Sequence, residues 1–238
     1  QFERYFKLGE PFSDSLLRSL SAPAIGPTDS LRFAIVKQCV RANENRLIKR
    51  FEPYHDLVQL ARQALAKPAY LSYLDEQFFF DLLVWYHLVW MGETVREKNE
   101  TVLRLMRKSR GYTLSDRREL LSVIDMLMRT IVPRYRHLDA SGQMELSVTP
   151  DKHPILPLLL DFKSAREAMP DAPLPSHAQY PDGLTRAQEH LQQGIATFER
   201  HFGFRPVGCW PSEGALSQAT LQLLQQAGAD CAQGFVLG

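Results

Sequence analysis

Near the end of the chain stands the stretch Gly208-Cys209-Trp210-Pro211-Ser212-Glu213-Gly214, which indicates the fold more clearly than any other part of the sequence. It places one carboxylate just past a short extended segment, beside a tryptophan and ahead of a glycine. In α/β folds, ligands bind at the carboxyl ends of the strands, so Glu213 is expected at a binding edge. A carboxylate there can attack the anomeric carbon of a sugar, and Trp210 offers a flat face for the ring. The alternative is that Glu213 only complements the dipole of the helix predicted after Ser217.

A second strand is predicted upstream, where apolar and polar residues alternate over 143–148. Glu145 and His153 flank the end of this strand. If both strands belong to one sheet, the loop carrying His153 neighbours the Glu213 loop, and His153 can hydrogen-bond a sugar hydroxyl or support a carboxylate. The alternative is that Glu145 faces solvent and that His153 is an ordinary loop residue.

Elements of both kinds alternate along the last hundred residues. An amphipathic helix is predicted from Leu184 to Phe202, ended by Gly203, and Ser217 is expected to cap another helix that closes at Gly228. Residues 230–237 are expected to begin a further strand. This order predicts a parallel α/β sheet or barrel. Because three strands do not close a barrel, either other strands lie outside the chain or the sheet is open.

The sequence predicts a mainly helical region over 1–138 and a βαβα segment over 139–238. Apolar residues recur at three- and four-residue steps over 78–90, which indicates one wide helical face. His87 and Trp90 on that helix are expected to pack in or at the edge of the core. A helix is also predicted between a cap at Ser115 and Pro133. The charge runs at 104–110 and 116–119 are expected to be solvated helix faces.

Composition narrows the classes of protein further. Of the 238 residues, 45% are hydrophobic and 23% charged, and the net charge of +1 gives no reason to expect nucleic acid or an anionic membrane as partner. No apolar run approaches the roughly 20 residues that span a bilayer. The cysteines Cys39, Cys209 and Cys231 lack the spacing of zinc sites or disulfide frameworks, which favours a reducing, cytoplasmic setting. We expect no metal site in this chain and no cofactor.

Three stretches, in this order, resemble the family 57 glycoside hydrolases of the amylopullulanase-like and α-amylase-like group. They are Asp81-Leu82-Leu83-Val84-Trp85-Tyr86-His87-Leu88-Val89-Trp90 with Gly92-Glu93, the strand at 142–149 with 153–160, and the run 203–217 that contains Trp-Pro-Ser-Glu-Gly. The resemblance implies an incomplete (β/α)7 barrel with a large helical insertion, acting on α-glucans or maltooligosaccharides with retention of configuration. It implies that Glu213 is the catalytic nucleophile, that Glu145 and His153 line the substrate cleft, and that Trp210 flanks the reacting sugar.

The resemblance also has departures. The family's His-Gln-Pro motif is not in this sequence, and its acid/base aspartate is expected beyond Gly238, so the chain alone is expected to be inactive. Retaining hydrolysis needs two carboxyl groups about 5–5.5 Å apart. The same scaffold is compatible with a 4-α-glucanotransferase or a branching enzyme, and the missing aspartate with a non-catalytic glucan-binding protein. A metal-dependent deacetylase on a related barrel is the most distant alternative, because its Asp/His/His constellation cannot be assembled here.

Overall fold

The computed structural model describes residues 1–26, 28–177 and 179–227. The further strand predicted over 230–237 and the helix end predicted at Gly228 therefore lie outside the described residues. The α-helices are α1 (Phe2–Leu8), α2 (Ser15–Ser21), α3 (Asp29–Cys39), α4 (Glu52–Ala66), α5 (Glu76–Val89), α6 (Glu93–Lys98), α7 (Glu100–Lys108), α8 (Leu114–Ala140), α9 (Leu156–Leu160), α10 (Ala165–Ala168), α11 (Gly183–Phe202) and α12 (Gln218–Gln226). The strands are β1 (Ser147–Val148) and β2 (Gly208–Cys209), and shorter helical turns occupy Glu44–Ile48, Pro68–Tyr73, Phe162–Ser164 and Ser212–Gly214.

The chain forms two compact units, the first over Gln1–Arg129 and the second beginning at Thr130. Each has its own cluster of buried apolar side chains. In the first unit α5 is the central helix, and α2, α3 and α4 pack against it. Its N-terminus is capped by Asp75, whose carboxylate accepts a hydrogen bond from Phe78 N at 2.8 Å. The helix is buried on nearly all sides, as its apolar pattern predicts.

The prediction that the charge runs form solvated faces is wrong for two residues of α8. Asp116 and Arg117 are buried. Arg117 donates hydrogen bonds to Leu20 O and Ala22 O, and its guanidinium carbon lies 3.5 Å from the centre of the Phe80 ring. A charge is tolerated in the interior when hydrogen bonds and partners replace water, and Arg117 obtains them from backbone carbonyls and an aromatic face.

The predicted bounds of α8 are also wrong at both ends. Thr113, not Ser115, caps the helix: Asp116 N donates to Thr113 Oγ1 at 3.3 Å, and Thr113 N donates to Asp116 Oδ2 at 2.9 Å. This reciprocal pair is a capping box with aspartate in the acidic position. The helix then continues through Pro133. Proline has no backbone N–H to donate to the carbonyl of Arg129, but the chain stays helical on both sides of Pro133.

The second unit is built around one pair of parallel strands. Ser147 pairs with Gly208 and Val148 with Cys209, and α11 lies between the two strands in the chain. The strand predicted over 143–148 is confirmed only at its last two residues. Gln143 N donates to Leu138 O at 3.0 Å, because the preceding segment still closes the end of α8, and extended structure begins only afterwards. The described residues are mostly helical with this one strand pair, and they do not form a barrel.

Two predictions for the second unit are confirmed. α11 ends at Gly203, which has a φ of 85°, and Ser217 caps α12 by accepting a hydrogen bond from Thr220 N at 3.2 Å. Across both units, none of the described helices is long and apolar enough to cross a membrane.

Candidate functional site at the carboxyl ends of the strands

The loops that follow β1 and β2 leave the strand pair at the same edge. Trp210 N donates to Val148 O at 2.8 Å, and Thr149 Oγ1 donates to Trp210 O at 3.2 Å, so the pairing extends just beyond the last strand residues. Parallel strands place their carboxyl ends together. The loops carrying His153 and Glu213 are therefore neighbours, as the sequence predicts for strands of one sheet.

The loop after β1 is held by its own turn and by α11. His153 N donates to Pro150 O at 3.0 Å, and Asp151 N donates to His190 O of α11 at 2.9 Å. The helix comes this close because residue 194 is glycine: a Cβ there would lie 2.8 Å from Thr149 O. The fixed backbone leaves the His153 side chain half-exposed, with 50% of its surface accessible.

The loop after β2 makes a single helical turn over Ser212–Gly214 before α12 begins. Gly214 N donates to Pro211 O at 2.9 Å, and Glu213 has left-handed backbone angles of φ 56° and ψ 18°. The N-terminus of α12 is served by Ser217, which leaves Glu213 without a capping role. This weakens the alternative that Glu213 only complements a helix dipole.

His153 and Glu213 face each other across this edge. The Nδ1 atom of His153 lies 3.7 Å from Oε1 of Glu213, and 71% of the Glu213 side chain is exposed. The distance is too long for a direct hydrogen bond but short enough for charge attraction when the imidazole is protonated. Both groups remain accessible to a ligand.

Backbone strain is concentrated at the same edge. Among the described residues, five that are not glycine have positive φ, and three of them are Lys152, His153 and Glu213. Each such residue costs about 1 kcal/mol or more, and strain of this kind clusters at functional sites. The sequence does not predict these positive φ angles, because none of the three residues is an asparagine or a glycine.

The other two predicted site residues lie differently. Trp210 directly follows β2 at this edge, and 47% of its surface is exposed. Glu145 precedes β1, and its Oε1 lies 3.5 Å from the position that a Cβ on Gly208 would occupy. Glu145 therefore lies at the amino-terminal side of the strand pair, whereas His153, Trp210 and Glu213 follow its carboxyl ends.

Ser212 belongs to the same turn, and sequence reasoning did not propose it as a binding residue. It is 1% exposed, and its hydroxyl has no hydrogen-bond partner among the described residues. A buried hydroxyl without a partner is costly, which makes Ser212 a further polar residue of note beside Glu213 in the sequence. In the described part of the chain, no group of three or more His, Cys, Asp or Glu side chains is placed to hold a metal ion.

The carboxyl ends of parallel strands thus present an accessible carboxylate beside an imidazole and an exposed indole. Glycoside hydrolysis uses a pair of carboxyl groups, of which Glu213 could supply one. The sequence model of Glycosyl hydrolase family 57 matches residues 32–233 of the chain, and the chain belongs to this family. The protein is accordingly a glycosidase with a carbohydrate substrate. Comparison with curated proteins and with solved structures gave no match.

Proposed function

We propose that the protein hydrolyses α-glucans with retention of anomeric configuration, and that Glu213 is the nucleophile. The observation that carries the proposal is the contact of 3.7 Å between His153 and the exposed Glu213 carboxylate at the strand ends. Family membership supports the reaction class, since the match covers all residues of this edge. The α-glucan substrate rests on the resemblance of the three sequence stretches.

In the proposed reaction, a Glu213 oxygen attacks the anomeric carbon while the bond to the leaving sugar oxygen breaks. The leaving oxygen takes its proton from a general acid, which we propose to be an aspartate outside this chain. The product of this step is a covalent glycosyl–enzyme ester of inverted configuration. Water then attacks the same carbon and gives its proton to the aspartate, while the bond to the Glu213 oxygen breaks and the free carboxylate is restored. This second inversion returns the original configuration.

The neighbouring side chains have supporting roles in this proposal. His153 is a positioning residue that directs the Glu213 carboxylate towards the sugar, or it hydrogen-bonds a hydroxyl of the bound ring. Trp210 stacks against the apolar face of that ring. Glu145 remains a proposed cleft residue on the strength of the resemblance alone, and its place before β1 makes it the weakest member of the set.

The test is turnover by full-length Glu213→Gln protein, measured as reducing-end release from soluble starch and pullulan. We expect a loss of at least about a thousandfold, because the amide cannot form the ester intermediate. The matched control is Glu189→Gln, which removes an exposed carboxylate from α11 in the same unit. The control should keep wild-type turnover, and both variants should keep the wild-type melting temperature.

Chemical rescue by azide tests directly whether Glu213 is the nucleophile. Azide can enter the space left in Glu213→Ala and attack the anomeric carbon of an activated α-maltosyl fluoride, with fluoride leaving and a β-maltosyl azide forming. Retained turnover in Glu213→Gln would contradict the nucleophile assignment. If wild-type protein lengthens or branches maltooligosaccharides without net new reducing ends, the activity is transfer, and glucan binding without either product would indicate a binding protein.

A further inference from the structure

A groove in the first unit lies along the exposed end of α5 and one face of α8. Its volume is about 340 Å³, and its lining includes Tyr86, His87, Trp90, Ile124 and Met128. This volume lies at the lower end of the range for small-molecule sites. Every lining side chain is uncharged at neutral pH or, for His87, titratable, so the groove fits a neutral ligand.

Trp90 makes this groove unlike the rest of the apolar surface. The expectation that it packs at the core edge is wrong, since 57% of its surface is exposed. Trp90 directly follows Val89, the last residue of α5, and so lies at the exposed end of the helix. Its ring lies 6.3 Å from that of Tyr86 at an angle of 65°, so the two rings meet at a corner. An exposed indole beside a second ring presents the flat, apolar wall on which sugar rings stack.

His87 supplies the groove with a hydrogen-bonding group. Its Nδ1 lies 2.7 Å from Leu83 O. Because a carbonyl oxygen can only accept a hydrogen bond, Nδ1 carries the proton and donates it. Burial lowers the pKa of His87, which keeps the imidazole neutral. The other nitrogen, Nε2, is then an acceptor for a hydroxyl group. The site thus combines an aromatic wall with at least one polar atom that fixes orientation.

We infer that this groove is a further carbohydrate-binding subsite, in which one pyranose ring stacks on Trp90 and donates a hydroxyl hydrogen bond to His87 Nε2. The inference rests on the proposed function for the identity of the sugar, a glucosyl unit of an α-glucan. An acidic or phosphorylated ligand is disfavoured, because no lysine or arginine lines the groove to pair with it. The remaining apolar lining packs against the carbon-bound hydrogens of the ring.

The experiment follows the indole N–H signals in the NMR spectrum of full-length Glu213→Gln protein during titration with maltoheptaose. The chain has three tryptophans, and the loss of one signal in Trp90→Phe assigns Trp90. We expect a saturable shift of the Trp90 signal. Calorimetry should give about tenfold weaker maltoheptaose binding for Trp90→Ala and an intermediate affinity for Trp90→Phe, which keeps a smaller ring.

The matched control is Tyr73→Ala, since Tyr73 is an aromatic residue of the same unit that is 85% exposed and does not line the groove. It should bind maltoheptaose as tightly as the parent protein. A shift of the Trp210 signal without any shift of Trp90 would overturn the inference while leaving the proposed function in place. A Trp90 shift in a protein whose Glu213→Gln variant keeps turnover would retain the subsite and remove the proposed nucleophile.

Discussion

Gly194 sets how closely α11 approaches the loop that carries His153. A Cβ at this position would lie 2.8 Å from Thr149 O and 3.2 Å from Asp151 N, and both of these atoms belong to the backbone. Neither can move without shifting the turn that ends at His153. The residue therefore links the packing of a helix to the placement of a proposed functional side chain.

We predict that Gly194→Ala lowers the free energy of unfolding by about 1–3 kcal/mol, because the added methyl group forces the loop and helix apart. Turnover should fall further than stability alone explains, since His153 moves relative to Glu213. Chemical denaturation and reducing-end assays measure the two effects. Gly26→Ala is the control, because nothing lies within 4 Å of its Cβ position and its φ is not positive. A fully stable and active Gly194→Ala protein would contradict this account.

Asp116 connects α7 to the start of α8. Its carboxylate accepts hydrogen bonds from Arg104 at 2.9 Å, from Lys108, and from the backbone and hydroxyl of Thr113 at 2.9 and 2.8 Å. Burial by itself would raise the pKa of Asp116, but these donors outweigh it and hold the pKa well below the ordinary value. The ionised form is therefore the one that stabilises the fold.

The sign of the resulting pH dependence follows from that lowered pKa. The stabilisation is complete above the unfolded pKa of about 3.9 and is lost as pH falls towards the folded pKa. We predict that Asp116→Asn costs about 2–3 kcal/mol at pH 7, because it removes the charge that pairs with Arg104 and Lys108 and leaves one acceptor oxygen where the carboxylate has two. The difference from wild type should shrink steadily as pH falls below 4.

Denaturation midpoints between pH 7 and pH 3 measure this difference. The control is Asp125→Asn, which removes a helix-surface ion pair with Arg129 and should cost less than about 1 kcal/mol. A gap between wild type and Asp116→Asn that stays constant across the pH range would show that the carboxylate contributes by shape and not by charge.

At the level of elements, the sequence predicted best where one local signal was enough. The apolar pattern gave α5, Gly203 gave the end of α11, and Ser217 gave the start of α12. It failed where a distant partner decided the outcome. Nothing within α8 itself indicates that Arg117 reaches carbonyls near residue 20. The capping box is a different case, because Thr113-x-x-Asp116 is a local pattern that was overlooked in favour of Ser115.

Two separate hydrophobic clusters stabilise the molecule, one in each unit. Leu83 of α5 is fully buried in one cluster, and Leu191 of α11 is buried in the other. We predict that Leu83→Ala lowers the hydrogen-exchange protection of α5 amides by about 2–5 kcal/mol and changes that of α11 by less than about 0.5 kcal/mol. Leu191→Ala should have the reverse effect. Equal losses in both helices from either substitution would instead indicate a single cooperative unit.

The candidate site was predictable in part at this scale. Two strand ends with a carboxylate on one and a histidine on the other led to the expectation that the loops are neighbours, and the structure places His153 and Glu213 3.7 Å apart. The place of Glu145 could not be foreseen, because alternation does not say at which residue a strand begins. The left-handed backbone at Lys152 and His153 directly follows the segment that α11 approaches closely, and no local sequence pattern indicates that approach.

The strand pair also bears on the order of folding. Thr149 and Trp210 are separated by 61 positions along the chain, and only two residues of each strand pair with the other. Closing so long a loop costs entropy before its few contacts compensate, and the cost changes by only about 0.6 kcal/mol with each doubling of length. We therefore expect α11, which lies within the loop, to form before the strands pair. The candidate site at the strand ends would then be a late product of folding, and we expect mild denaturing conditions to disrupt it while most of the helices persist.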